Sequence, residues 1–259
     1  MTENGPSGAG ALIPRDREAH PVAYDPDYKT SVVRSPRNAL LSMESTATEE
    51  TGPAFGHDIL GSLDNNLILN FTNGAAPAVG ERIRVHGRLL DEFGRPIPGA
   101  LIEIWQANAG GRYRHVKDTY FAPLDPNFGG FGRTITGPDG AYEFMTIRPG
   151  AYPWPNRGND WRPMHIHFSI FGHAFGQRLI SQMYFEGDPL IDRCPILATI
   201  KDRSQIDRLV APLDLACSRP LDYLAYRFDF VLRGRRQTMF ENRPEGLCHG
   251  TAASQSSRN

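Results

Sequence analysis

The chain has 259 residues, with 28 Lys and Arg against 29 Asp and Glu for a formal net charge of −1; hydrophobic residues are 40% and charged residues 22%. That balance fits a soluble globular protein with room for one large all-β domain or two small ones. It argues against a general nucleic-acid binder, which needs a basic field to neutralise phosphates, and no apolar run reaches the roughly 18 residues of a membrane span.

The first ten residues are small and polar, without the basic start and apolar core of a secretory signal. Residues 1–20 read as a flexible N-terminus and 21–80 as an arm with one short helix. Within that arm, Pro26 to Ser31 reads as extended or turn-like. Ser35-Pro36 reads as the start of a helix over Arg37 to Met43, because serine caps well and proline suits the first helical position. Thr46 to Gly56 reads as a loop and Pro77 to Gly80 as a turn.

From Glu81 the pattern changes to period two. Ile83, Val85, Gly87 and Leu89 alternate with Arg82, Arg84, His86 and Arg88, as in a strand with one buried face. Asp91 to Pro96 is a hairpin-type turn. Further strands are expected over Ala100–Gln106, Ala141–Ile147, Met164–Gly172, Leu179–Glu186 and Leu224–Arg233, with a brief helix over Ser204–Leu209. Short strands punctuated by 26 Gly and 21 Pro point to an all-β fold, an antiparallel β-sandwich or barrel, over residues 81–243, followed by a flexible tail over 244–259. Two long loops remain, Ala107–Arg133 and Pro149–Arg162, and loops of that length in a compact domain usually carry function.

The chemistry concentrates near the second loop. In a strand, residues i and i+2 share a face, so His165 and His167 would present two imidazoles side by side with Ile166 turned away. A His-x-His pair alone is more often a polar strand end than a metal site. Tyr120 and Tyr152, in the two long loops, add two phenols. A phenol loses its proton near pH 10, so only a strongly charged cation holds it ionised at neutral pH, and ferric iron suits that donor better than zinc. Arg162 stands just before the histidines. The three cysteines, Cys194, Cys217 and Cys248, are odd in number and widely spaced, with no zinc or disulfide pattern, so a reducing cytoplasm is the expected location.

Several motifs in order carry a resemblance: Pro26-Asp27-Tyr28-Lys29-Thr30-Ser31, Trp105-Gln106-Ala107-Asn108-Ala109-Gly110-Gly111-Arg112-Tyr113-Arg114-His115, Ala122-Pro123-Leu124-Asp125-Pro126-Asn127-Phe128-Gly129-Gly130, Asn159-Asp160-Trp161-Arg162-Pro163, His165-Ile166-His167-Phe168 and Tyr184-Phe185-Glu186-Gly187-Asp188-Pro189. Across nearly the whole chain the sequence resembles the intradiol ring-cleaving dioxygenases, and among them the β subunits that act on protocatechuate. The resemblance implies one non-haem ferric iron per chain held by Tyr120, Tyr152, His165 and His167. In it Tyr152 is the ligand displaced by substrate, Arg162 stands beside the bound catechol, and Gln182 is an amide near the iron pocket. Tyr28, Trp154 and Ile196 line the substrate cavity. It also implies protocatechuate and O2 as substrates and an α subunit as partner. Two other readings are a self-sufficient catechol or hydroxyquinol 1,2-dioxygenase and a non-catalytic β-sandwich binding module.

Overall fold

The computed structural model describes residues 24–34, 59–72, 76–91, 93–172 and 178–232. The expected helix over Arg37–Met43, the Thr46–Gly56 loop and both chain ends lie outside them. The arm differs from expectation. Lys29–Arg34 is helical, as α1, and continues the turn at Asp25–Tyr28.

Eleven strands are seen among the described residues: β1 (Arg82–Asp91), β2 (Leu101–Gln106), β3 (Phe131–Ile135), β4 (Ala141–Ile147), β5 (Tyr152–Pro153), β6 (Trp161–Arg162), β7 (His165–Phe171), β8 (Arg178–Phe185), β9 (Val210–Ala211), β10 (Leu224–Arg227) and β11 (Phe230–Leu232). One sheet places β1 between β4 on one side and β10 and β11 on the other; a second runs β3-β2-β7-β8-β9. The expected helix over Ser204–Leu209 forms as α2 (Arg203–Asp207), capped by the Asp202 carboxylate accepting from Ser204 N.

The two sheets face each other across one core. Ile83, Val85 and Phe144 come from the first sheet, and Ile102, Ile104, Ile166, Phe168, Ile170 and Met183 from the second, all buried. Phe168 is the junction: its ring lies 5.9 Å from Phe144 and 4.9 Å from Phe230, both edge-on. Burying each such side chain contributes about 1.5–3 kcal/mol. The period-two reading of β1 holds, with Ile83, Val85 and Leu89 fully buried and Arg82, Arg84, His86 and Arg88 on the outer side.

Two expectations need correction. The sandwich is not wholly antiparallel, since β10 and β11 run parallel to β1, and β9 parallel to β8. The last strand is also not continuous. It pairs with β1 at Ile83–His86, breaks at Phe228-Asp229, and resumes at Leu89–Asp91. At the break Phe228 N donates to His86 O (2.8 Å) and Arg88 N to Asp229 Oδ1 (2.9 Å). Gly87 makes this possible, because a Cβ there would sit 1.8 Å from Phe228 O. The long loops also hold more order than expected: β3 begins inside the first, and β5 pairs with β6 inside the second.

Candidate functional site

The outer face of β7 builds the site. Ile166, Phe168 and Ile170 point into the core, so His165 and His167 point the other way, as the i, i+2 spacing requires. Strand register sets their neighbours: Trp105 of β2 and Gln182 of β8 flank His167, and Tyr184 flanks His165. Trp105 stacks on the His167 ring at 4.8 Å and 3°. His165 Nδ1 lies 2.7 Å from Pro163 O. A carbonyl only accepts, so Nδ1 carries the proton and Nε2 presents a lone pair to the pocket. Burial, and then the nearby Arg162 charge, lower the pKa of both rings, that of His167 to about 3. Both are therefore neutral imidazoles, the form that binds metals.

Two phenols meet these nitrogens. Tyr152 OH lies 3.2 Å from His165 Nε2. The second is Tyr113, whose hydroxyl lies 3.1 Å from His167 Nε2 and 3.5 Å from His165 Nε2. The Tyr113 and Tyr152 rings pack edge-on at 5.4 Å. Burial raises the pKa of both phenols; the closeness of Tyr152 adds to the rise at Tyr113, while the Arg162 charge opposes it at Tyr152.

The placement of Tyr120 in this pocket is thus corrected. Its ring packs edge-on against Trp161 at 6.3 Å, and its backbone is held by Asp118 Oδ1, which accepts from Tyr120 N (2.9 Å), and by Arg112, which donates to Tyr120 O. The reason is the tight turn after β2. Asn108 Oδ1 accepts from the N–H groups of Gly110 and Arg112, both at 2.9 Å, and Asn108 O accepts from Gly111 N and Gly150 N, also at 2.9 Å. The chain reverses within a few residues, so Tyr113 returns to the sheet it has just left. Seven residues on, Tyr120 lies on the outer part of the loop. Gly111, at φ +80°, packs so closely that a Cβ would meet Ala151 O at 2.2 Å. The turn thereby sets Tyr113 beside Tyr152. The sequence signal for Tyr113 is this Asn-x-Gly-Gly turn only two residues after the strand that pairs with His-x-His.

Arg162 is 1% exposed, an unusual burial for a guanidinium. It donates to Gln182 Oε1 and to Tyr184 OH (3.0 Å), and Tyr184 OH donates to the same Gln182 oxygen at 2.6 Å. Its carbon lies 5.8 Å from the Trp154 ring, while its Nε is buried with no hydrogen-bond partner. Burial opposes its charge, but the surrounding Tyr184, Cys194 and Tyr152 outweigh that and raise its pKa. Trp154 also packs 6.3 Å from Tyr152. Ile196 belongs to a small cluster with Tyr184, Cys194 and Leu197 behind Arg162. Tyr28 sits on the arm tied to the loop after Trp154, where Lys29 N donates to Asn156 Oδ1 (2.8 Å) and Arg157 pairs with Asp27.

A family model described as "Dioxygenase" matches residues 50–234, and one described as "Protocatechuate 3,4-dioxygenase beta subunit N terminal" matches 13–46. The chain is 47% identical over 230 residues to a protocatechuate 3,4-dioxygenase beta chain of Burkholderia cepacia, covering 89% of this chain and 97% of that one. It is 30% identical over 165 residues to a protocatechuate 3,4-dioxygenase alpha chain of Pseudomonas putida, covering 63% and 77%. The crystal structure of 3-chlorocatechol 1,2-dioxygenase from Rhodococcus opacus 1CP shares the fold, with a TM-score of 0.52 at 22% identity over 79% of this chain and 76% of that one. A β-sandwich whose paired histidines on one sheet face meet two tyrosines from the adjoining loops, matched over most of its length, places this chain in the intradiol dioxygenase family.

Proposed function

We propose that this chain is the iron-bearing subunit of a heteromeric enzyme that opens the ring of protocatechuate with O2, between its two hydroxylated carbons, to give 3-carboxy-cis,cis-muconate. Tyr113, Tyr152, His165 and His167 would hold one ferric ion. The observation that carries this is the convergence of two phenol oxygens on two imidazole nitrogens within 3.1–3.5 Å, with both rings neutral. Two phenolates and two imidazoles form a hard, anionic set suited to ferric iron. The bound iron supplies the Lewis-acidic centre that makes a chelated catechol reactive toward O2.

The chain's own residues do the rest. Tyr152, at the edge of the cluster beside Trp154, would hold the ion as a phenolate, and that phenolate oxygen would be the acceptor for a proton from an incoming catechol hydroxyl. Gln182 and Tyr184 hold Arg162 in one orientation, so its fixed charge offsets negative charge growing on the substrate in a dry pocket. Trp154 and Ile196 shape the cavity, and Tyr28 on the tethered arm is the donor for the ring carboxylate. The partner is an α-type chain like the relative from Pseudomonas putida, supplying the balancing positive charge for that carboxylate. Residence in a reducing cytoplasm is consistent with the free thiols of Cys194 and Cys217.

The test is O2 uptake by the chain co-expressed with an α-type partner and loaded with iron. Protocatechuate should be consumed with matching O2, and the protein should be red-brown from tyrosinate. Consumption of catechol in preference to protocatechuate would move the reading to a self-sufficient catechol enzyme. Tight protocatechuate binding without O2 uptake would move it to a binding module.

A further inference from the structure

On the outer face of the four-stranded sheet, away from the tyrosine–histidine pocket, three side chains of different metal-binding chemistry meet. His86 projects from the middle of β1, while Asp214 and Cys217 lie on the turn before β10. His86 Nε2 is 3.0 Å from Asp214 Oδ2. A ring nitrogen of His86, a carboxylate oxygen of Asp214 and the sulfur of Cys217 all lie within 4.8 Å of one another. A tetrahedral zinc centre with bonds of about 2.0–2.3 Å sets neighbouring ligand atoms roughly 3.3–3.8 Å apart. Small side-chain rotations therefore suffice to bring these three onto one ion.

The backbone that presents them is fixed. Asp214 N donates to Ala225 O (2.8 Å), Ser218 Oγ donates to Asp214 O (2.7 Å), and Ala225 N donates to Ser218 Oγ (2.8 Å). These bonds fasten the turn to β10, and the pairing of Arg84 with Ala225 and of His86 with Arg227 sets β10 against β1. Asp214 Oδ1 accepts from Cys217 N (3.1 Å), and Oδ2 faces His86 Nε2 at 3.0 Å, so a cation would replace that His86–Asp214 contact. The site is half-buried, with His86 and Asp214 side chains 20% and 23% exposed. The hydrogen bond to Asp214, then burial and the Asp214 charge, raise the pKa of the Cys217 thiol, while Arg84 and Arg227, themselves paired with Glu143 and Asp229, oppose that rise, so a bound cation would have to displace the thiol proton.

We propose that His86, Asp214 and Cys217 form a three-ligand site for a zinc-type divalent cation, with a fourth position open to water. Sulfur and imidazole donors select zinc over calcium or magnesium. A dication with one thiolate, one carboxylate and one neutral imidazole is locally neutral. The three residues come from positions 86, 214 and 217, so no spacing motif announces them. The bound ion would pin the turn before β10 onto β1, far in function from the iron chemistry.

The experiment uses the iron-loaded protein with its partner, dialysed against Zn2+ and assayed for both metals. One zinc per chain beyond the iron is expected. Cys217→Ala and His86→Ala should each weaken that uptake by about tenfold or more, the scale on which even outer partners of metal sites act. Neither should change iron content, visible colour or ring cleavage. Co2+ in place of zinc should give a sulfur-to-cobalt charge-transfer band that Cys217→Ala removes. No zinc beyond the iron, or uptake unchanged in both variants, would overturn the proposal. Retained iron colour reports a folded variant, and Cys217→Ala, on a surface turn, decides the matter if His86→Ala loses it.

Discussion

Arg162 permits a clean separation of chemistry from structure. Its charge sits against Gln182, Tyr184 and Trp154, and it touches neither imidazole nitrogen through a hydrogen bond among those described. Arg162→Leu should keep the fold and the iron and lower kcat/KM by the equivalent of about 2.7–4 kcal/mol, the usual effect of losing one charge-stabilising donor. Steady-state kinetics beside iron analysis checks this; a variant within a few-fold of the parent removes Arg162 from the reaction. The two tyrosines of the first loop divide just as sharply. Tyr113→Phe should lose iron or its tyrosinate colour, whereas Tyr120→Phe should keep both, because its ring faces Trp161. The histidine pair was legible because a two-residue period on a strand leaves only one arrangement. Choosing between Tyr113 and Tyr120 was not legible in the same way. Both lie in one long loop, and the choice depends on how sharply Asn108 and Gly111 turn the chain, a matter of hydrogen bonds rather than spacing.

At the scale of elements, the alternation of β1 could be read directly, while the break between β10 and β11 could not. Nothing local in Phe228-Asp229 signals it; its cause is Gly87, about 140 positions away. Gly87→Ala would place a methyl group 1.8 Å from Phe228 O. The expected loss is roughly 1–3 kcal/mol or more of stability, measured by urea unfolding, since overpacking against backbone cannot be relieved by a rotamer change. The far end of β1 carries a pH-dependent device. Asp91 Oδ1 accepts from the N–H groups of Phe93 and Arg95, both at 2.9 Å, and Oδ2 from Arg95 Nε at 2.7 Å. Partial burial alone would raise the pKa of Asp91, but these bonds outweigh it and hold it below its ordinary value. A depressed carboxylate contributes stability that is fully present above the unfolded pKa, about 3.9, and is lost as pH falls through the folded value. Asp91→Asn should therefore reduce stability at neutral pH by roughly 1–3 kcal/mol and flatten the acid limb below about pH 4. Unfolding curves at several pH values would show an unchanged limb if the turn does not depend on that charge.

Across the whole molecule, the five-stranded sheet ends at β3, and exposed apolar side chains gather beside it, with Arg114 over the Phe71 ring and Arg133 over the Phe131 ring. Leu69, Phe71 and Phe131 are each over 40% exposed, and Asn70 Nδ2 donates to Phe131 O (2.8 Å), so they form one neighbourhood. Exposed apolar groups gathered this way mark contact surfaces. On the proposed function, the iron-loaded chain alone should turn over protocatechuate poorly and recover when an α-type chain is added. Full activity of the isolated chain, shown to be monomeric by light scattering, would remove the need for that partner.

The close approach of Gly111 to Ala151 has a consequence for re-engineering the enzyme. The turn that carries Tyr113 and the segment that carries Tyr152 touch backbone to backbone, and Gly150 N also bonds to Asn108 O in the first turn. Each loop is thus positioned against the other as well as by its own bonds. Gly111→Ala, strained at φ +80° and blocked at 2.2 Å by Ala151 O, should disturb both tyrosines at once and cost iron as well as stability. Exchanging one loop with a relative to alter substrate preference should fail for the same reason, whereas transplanting residues 107–113 together with 149–152 moves them as a single cassette.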